Sequence, residues 1–136
     1  MKTKIIKTIL STLLITSIIG MFTVTASARM TYIAICNYGA TFEPQTGIIT
    51  IDADIYGYEH LTNYCTIQIN LQYYNTATSR WVTLDTVYEG FDNWYGGSEE
   101  EWYITPGYSY RGNIYLTGYY YSLSETIIVN TNTITY

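Results

Sequence analysis

Gly47-Ile48-Ile49-Thr50-Ile51-Asp52-Ala53-Asp54-Ile55-Tyr56 alternates apolar and polar residues with a period of two, the spacing of a strand with one dry face and one wet one. Ile49, Ile51, Ala53 and Ile55 point one way, and Thr50, Asp52 and Asp54 the other. Residues 64–74 repeat the pattern, with Cys65, Ile67, Ile69 and Leu71 inward against Thr66, Gln68, Asn70 and Gln72. Two strands that each have an apolar face to bury require a second sheet to bury it against.

Outward from this pair the chain offers more strands. One spans 31–36, extended by 40–43. Residues 80–88 carry Trp81, Val82 and Leu84, reached through the turn-rich 75–79, and strands are also expected at 99–104, 108–121 and 124–135. In 108–121, Tyr110, Gly112, Ile114 and Leu116 alternate with Arg111, Asn113, Tyr115 and Thr117. Residues 91–98 contain Asn93, Gly96, Gly97 and Ser98 and read as a loop. Seven short strands separated by turns predict an all-β domain over 29–136, a single antiparallel β-sandwich of the immunoglobulin-like kind.

Ile104-Thr105-Pro106-Gly107-Tyr108-Ser109-Tyr110, followed by Gly112, Ile114 and Leu116, resembles the approach to strand F of fibronectin type III domains. That resemblance implies a structural role for Tyr110, whose phenol would bond back to the backbone at the corner. From about 40 to 121 the layout is also similar to small exported sandwich proteins of Gram-positive bacteria: an alternating strand after Gly47, a strand ending near Leu71-Gln72, a turn leading to Trp81, and Tyr108-Ser109-Tyr110-Arg111. This likeness implies fold and compartment but carries no activity with it.

Residues 1–28 read as a helical, cleavable secretory signal peptide. Lys2, Lys4 and Lys7 form a charged start, Ile9 to Phe22 an apolar middle, and Ala26-Ser27-Ala28 an A-x-A cleavage site. The middle runs for about 14 residues, short of the roughly 20 that a spanning helix needs. Cleavage would leave a secreted, extracellular domain with no stable membrane insertion. All three lysines would leave with the signal. Arg29, Arg80 and Arg111 then stand against all 11 carboxylates, a net charge of about -8. Such a chain lacks the phosphate-neutralising side chains that nucleic-acid binding depends on.

Cys36 and Cys65 are the only cysteines. In an exported chain an even count allows a disulfide, which would stabilise a loop of this length by roughly 3 to 4 kcal/mol in the chain-entropy model; two buried free thiols are the other reading. His60, the single histidine, has no C-x-x-C beside it to make a metal site. Asp92 and Glu99-Glu100-Glu101 flank the Gly-rich loop that carries Trp94, without the D-x-D-x-D-G spacing of a calcium loop. No nucleophile motif stands out, and neither an enzyme, a cofactor nor a bound metal is expected.

The candidate binding surface is the outward side of the third and sixth strands. It would display Gln68, Asn70, Gln72 and Tyr74 beside Arg111, Asn113, Tyr115 and Tyr119, with Trp94 on its loop as a second element. Amide and guanidinium groups among aromatic rings suit a glycan, because hydroxyls take the hydrogen bonds while rings stack on the sugar. Exposed aromatics equally mark protein contacts, and tyrosine and threonine are also simply good cross-strand residues. The expected function is a non-catalytic binding or adhesion module for an extracellular protein or glycan. The alternative is a small exported antimicrobial or inhibitory effector.

Overall fold

The computed structural model describes residues 30–136; the expected signal peptide and Arg29 lie outside them. Among the described residues every regular element is a strand, and no helix is long and apolar enough to cross a membrane. The strands are β1 (Ile33–Glu43), β2 (Ile48–Gly57), β3 (Tyr64–Asn75), β4 (Arg80–Phe91), β5 (Tyr95–Tyr103), β6 (Ser109–Tyr120), β7 (Leu123–Asn130) and the short β8 (Ile134–Thr135).

They form two antiparallel sheets, one in the order β1-β2-β5 and the other β4-β3-β6-β7, with β8 pairing the start of β6. The sheets face each other, β2 lying over β3 and β6, β1 over β6 and β8, and β5 over β3 and β4. Period-two alternation fixes which side chains fill the gap. Ile49, Ile51, Ala53 and Ile55 of β2 meet Cys65, Ile67, Ile69 and Leu71 of β3 and Tyr110, Ile114 and Leu116 of β6, all of them buried. A one-residue slip in either strand would expose this whole set, so register and core specify each other.

Three boundaries differ from the sequence reading. β1 runs unbroken through Asn37, Tyr38 and Gly39, because its partner β2 supplies a continuous ladder from Ile48 to Tyr56. The loop expected at 91–98 shrinks to 92–94, since β5 already begins at Tyr95. Gly96 and Gly97 there serve close approach rather than a turn: a Cβ on Gly96 would come within 2.2 Å of the Phe91 ring, and one on Gly97 within 2.5 Å of the Asp54 carboxylate. The last strand is divided at 131–133.

Thr131 and Asn132 make that division useful. Thr131 exchanges backbone and hydroxyl bonds with Gly112, its N–H donating to the Gly112 carbonyl and its Oγ1 accepting from the Gly112 N–H, both at 2.9 Å. Asn132 then reaches to the other sheet. Its Nδ2 donates to the Ala40 carbonyl at 3.0 Å, and its Oδ1 accepts from the Ala40 N–H at 3.1 Å. A single side-chain amide thus joins edge strand β1 to the segment between β7 and β8, standing in for a neighbouring strand.

At the β5–β6 corner Gly107 takes φ +93°, the left-handed conformation that glycine adopts without strain. Beyond it, Tyr110 is 3% exposed; its hydroxyl donates to the Thr105 carbonyl at 2.9 Å and accepts from the Thr105 N–H at 3.1 Å. Tyr110→Phe removes both bonds with almost no change in shape. It is expected to lower stability by about 1 to 3 kcal/mol, seen as a lower urea midpoint at unchanged m-value.

Candidate functional site

β3 and β6 are direct neighbours, paired from Tyr64↔Tyr119 to Tyr73↔Tyr110. Cross-strand pairing therefore puts Gln68 beside Tyr115, Asn70 beside Asn113 and Gln72 beside Arg111 on one outer face. β4 and β7 extend each row. The middle row reads Thr86, Asn70, Asn113, Asn130, and the next reads Tyr88, Gln68, Tyr115, Ile128.

Most amides in this face are bonded to one another. Asn70 Oδ1 accepts from Thr86 Oγ1 at 2.8 Å and from Gln68 Nε2 at 3.1 Å; Asn70 Nδ2 donates to Asn113 Oδ1 at 3.2 Å; Asn113 Nδ2 donates to Asn130 Oδ1 at 3.0 Å. The result is one hydrogen-bonded line across four strands. Asn70, expected on the exposed side, is only 6% exposed, because the longer side chains of the adjoining rows cover its short one. It is a structural amide more than a ligand contact.

A second cluster lies at the end of the face. Arg111 lays its guanidinium 4.2 Å from the centre of the Trp81 ring while its Nε donates to Gln72 Oε1 at 3.0 Å. Gln72 Nε2 in turn donates to Thr83 Oγ1 at 3.2 Å, and Tyr74 packs edge-on to Trp81 at 5.3 Å. Burial lowers the Arg111 pKa, as expected for a cation partly withdrawn from water, and the aromatic face offsets part of that desolvation. At the opposite end Tyr64 and Tyr119 tilt together at 5.5 Å.

Two side chains that the sequence reading left out stand highest on this surface. Tyr88 on β4 is 60% exposed and Ile128 on β7 is 57% exposed, on either side of Gln68 and Tyr115. The signal for them was parity: with Val87 and Ile127 inward, their neighbours must face out. Trp94 is not brought to this face. It sits in the β4–β5 connection with its ring edge-on to Tyr95 at 5.0 Å, and its carbonyl accepts from the Gly57 N–H at 2.6 Å, which ties it to the end of β2.

The acidic residues take separate directions. Glu99 and Glu101 lie on the outer side of the three-stranded sheet opposite Asp52 and Thr50, while Glu100 is opposite the inward Ile51. Among the described residues no three His, Cys, Asp or Glu side chains converge as a metal site.

Cys36 and Cys65 are both free thiols, so the disulfide is absent here. Cys65 is fully buried in the core cluster, and the partly buried Cys36 packs against that cluster from β1. Burial raises the pKa of both thiols, that of Cys65 to about 11. At neutral pH Cys65 is therefore a protonated, unreactive core side chain.

No family model and no curated protein matches the chain.

Proposed function

We propose that this is an exported, non-catalytic binding module that holds an extracellular protein against the outer face of β4-β3-β6-β7. One observation carries the reading: the row Tyr88, Gln68, Tyr115, Ile128, in which a large aromatic and a large aliphatic side chain stand exposed in strand interiors. In the adjoining row the amides are already held by hydrogen bonds to one another, so they lose little side-chain freedom when a partner docks. Tyrosine is among the residue types, with tryptophan and arginine, that most often dominate protein contacts. A glycan is favoured less, because the amides that would read its hydroxyls are already bonded to each other.

The same proposal takes the domain as immunoglobulin-like, of the fibronectin type III kind. A sheet of first, second and fifth strands over one that pairs the third with the sixth and seventh supports it, as does the Tyr110 corner. The fourth strand lies beside β3 rather than β5, unlike the constant-type arrangement. Export rests on the charged, apolar and A-x-A sequence of residues 1–28.

Arrays of extracellular proteins and of glycans test the reading directly. Binding to a protein target is expected to weaken by at least about 10-fold, or 1.4 kcal/mol, in Tyr88→Ala and in Tyr115→Ala. Tyr103→Ala, 83% exposed on the other sheet, should leave it unchanged. Glycan hits alone would replace the protein partner with a sugar, and targets bound equally by all three variants would remove this face from consideration.

A further inference from the structure

On the inner side of β3, away from the face just described, a cleft of about 250 Å³ opens between Tyr73, Leu84, Thr105, Tyr108 and Tyr110. We propose that this cleft binds a small organic cation of the quaternary ammonium class, held by the tyrosine rings.

The walls are steeply inclined to one another. Tyr73 and Tyr108 meet at 86° with centroids 5.7 Å apart, and Tyr108 and Tyr110 at 68° and 6.4 Å. Rings at such angles present both faces and edges to one space, and the negative face of an aromatic ring attracts a cation. Part of the polar recognition is spent elsewhere: the Tyr110 hydroxyl exchanges both its bonds with Thr105, and the Tyr73 hydroxyl accepts from Asn75 Nδ2 at 3.4 Å. A sugar or a carboxylate would need several donors aimed at it, and the cleft offers only the hydroxyls of Tyr73, Tyr108 and Thr105, with no side-chain N–H and no charged side chain among its lining. A trimethylammonium group asks for none, since it has no N–H to satisfy.

Charge favours the same ligand. No cationic side chain lines the cleft, and Arg111 is committed to Trp81 on the outer face. Asp85, the residue after Leu84, accepts from Trp102 Nε1 at 2.8 Å and from the Thr86 N–H at 2.9 Å, and these bonds lower its pKa. With 11 carboxylates in the chain and six lysines and arginines, the field of the molecule draws cations toward it. Within this fold Trp81 already holds a guanidinium at 4.2 Å in the same way.

The test uses the purified chain carrying ring-labelled tyrosine, titrated with tetramethylammonium chloride and followed by NMR. Saturable shifts confined to Tyr73, Tyr108 and Tyr110 are expected, with a Kd on the order of millimolar. Tyr108→Phe should bind as the parent does, because the ring and not the hydroxyl makes the contact. Tyr108→Ala should weaken binding about 10-fold while the remaining tyrosine spectrum reports an intact fold; Tyr108 is 47% exposed and tolerates the change. Competition by free choline or by phosphatidylcholine vesicles then separates a soluble source from a membrane head group. Equal binding of the neutral isostere 3,3-dimethylbutanol, an unsaturable response, or an unchanged Kd in Tyr108→Ala would each overturn the proposal without touching the outer-face reading.

Discussion

Ile51→Ala is expected to destabilise the domain by about 4 kcal/mol, near the upper end for an isoleucine truncated in a core. Ile51 is fully buried in the middle of β2. Across the layer it lies over Gly112: a Cβ built on that glycine would come within 2.9 Å of Ile51 Cγ2 and 3.2 Å of Cδ1. The side chain therefore fills a groove whose floor is bare backbone, and Gly112 is pinned by its two bonds to Thr131. Gly112 itself has no side chain to move into a void there, and cavity terms grow with the volume left unfilled. The converse substitution gives a sharper measurement. Gly112→Ala alone overpacks Ile51 and, at 3.0 Å, Thr131 Cγ2 and should destabilise by about 1 to 3 kcal/mol, yet in the Ile51→Ala background only the Thr131 contact remains and the added methyl should recover part of the loss. Urea denaturation of both single variants and the double variant measures the coupling. Additive effects would show that the two residues do not share the groove.

The second large effect is expected at Asn70. Asn70→Ala removes two acceptor bonds and one donor bond from the centre of the amide line, at a position 6% exposed. A loss of about 2 to 3 kcal/mol is expected, because the buried part of the line is left without its partners. Asn130→Ala, at the exposed end of the same line, should stay within about 0.5 kcal/mol. The gradient is the prediction: thermal or urea unfolding of Asn70→Ala, Asn113→Ala and Asn130→Ala should show the effect falling steadily from centre to edge. Equal values along the line would mean that the amides act separately.

The strands that decide the fold were plain in the sequence because each has one wet and one dry face. Every residue assigned inward in β2 and β3 is buried, while of those assigned outward Thr66 and Asn70 of β3 are buried as well, at 3% and 6% exposure. Where one residue type serves two purposes, the reading failed. Gly96 and Gly97 look like a turn, yet they lie inside β5 because Phe91 and the Asp54 side chain occupy the space a Cβ would take, and only the folded arrangement reveals those neighbours. The break at 131–133 was missed for a similar reason: Thr and Asn are acceptable in a strand, and nothing local says that Asn132 will bond to a residue 92 positions away. For the candidate surface, parity placed Gln68, Asn70 and Gln72 with Arg111, Asn113 and Tyr115 correctly on one face. It said nothing about the bonds among them, which depend on register between strands, and so could not tell an amide held ready for a ligand from one already satisfied.

The Asn132 clamp bears on assembly as well as on folding. β1 is long, regularly paired from Ile35 to Glu43 and at the margin of its sheet, the kind of strand onto which a second molecule can add a strand of its own. Toward its C-terminal end the N–H and C=O of Ala40 are both taken by one side-chain amide. An incoming strand would find this rung of the ladder already occupied and would have to dislodge Asn132 before it could zip past. The amide thus works as a stopper against edge-to-edge growth into fibres at the β1 margin of the three-stranded sheet.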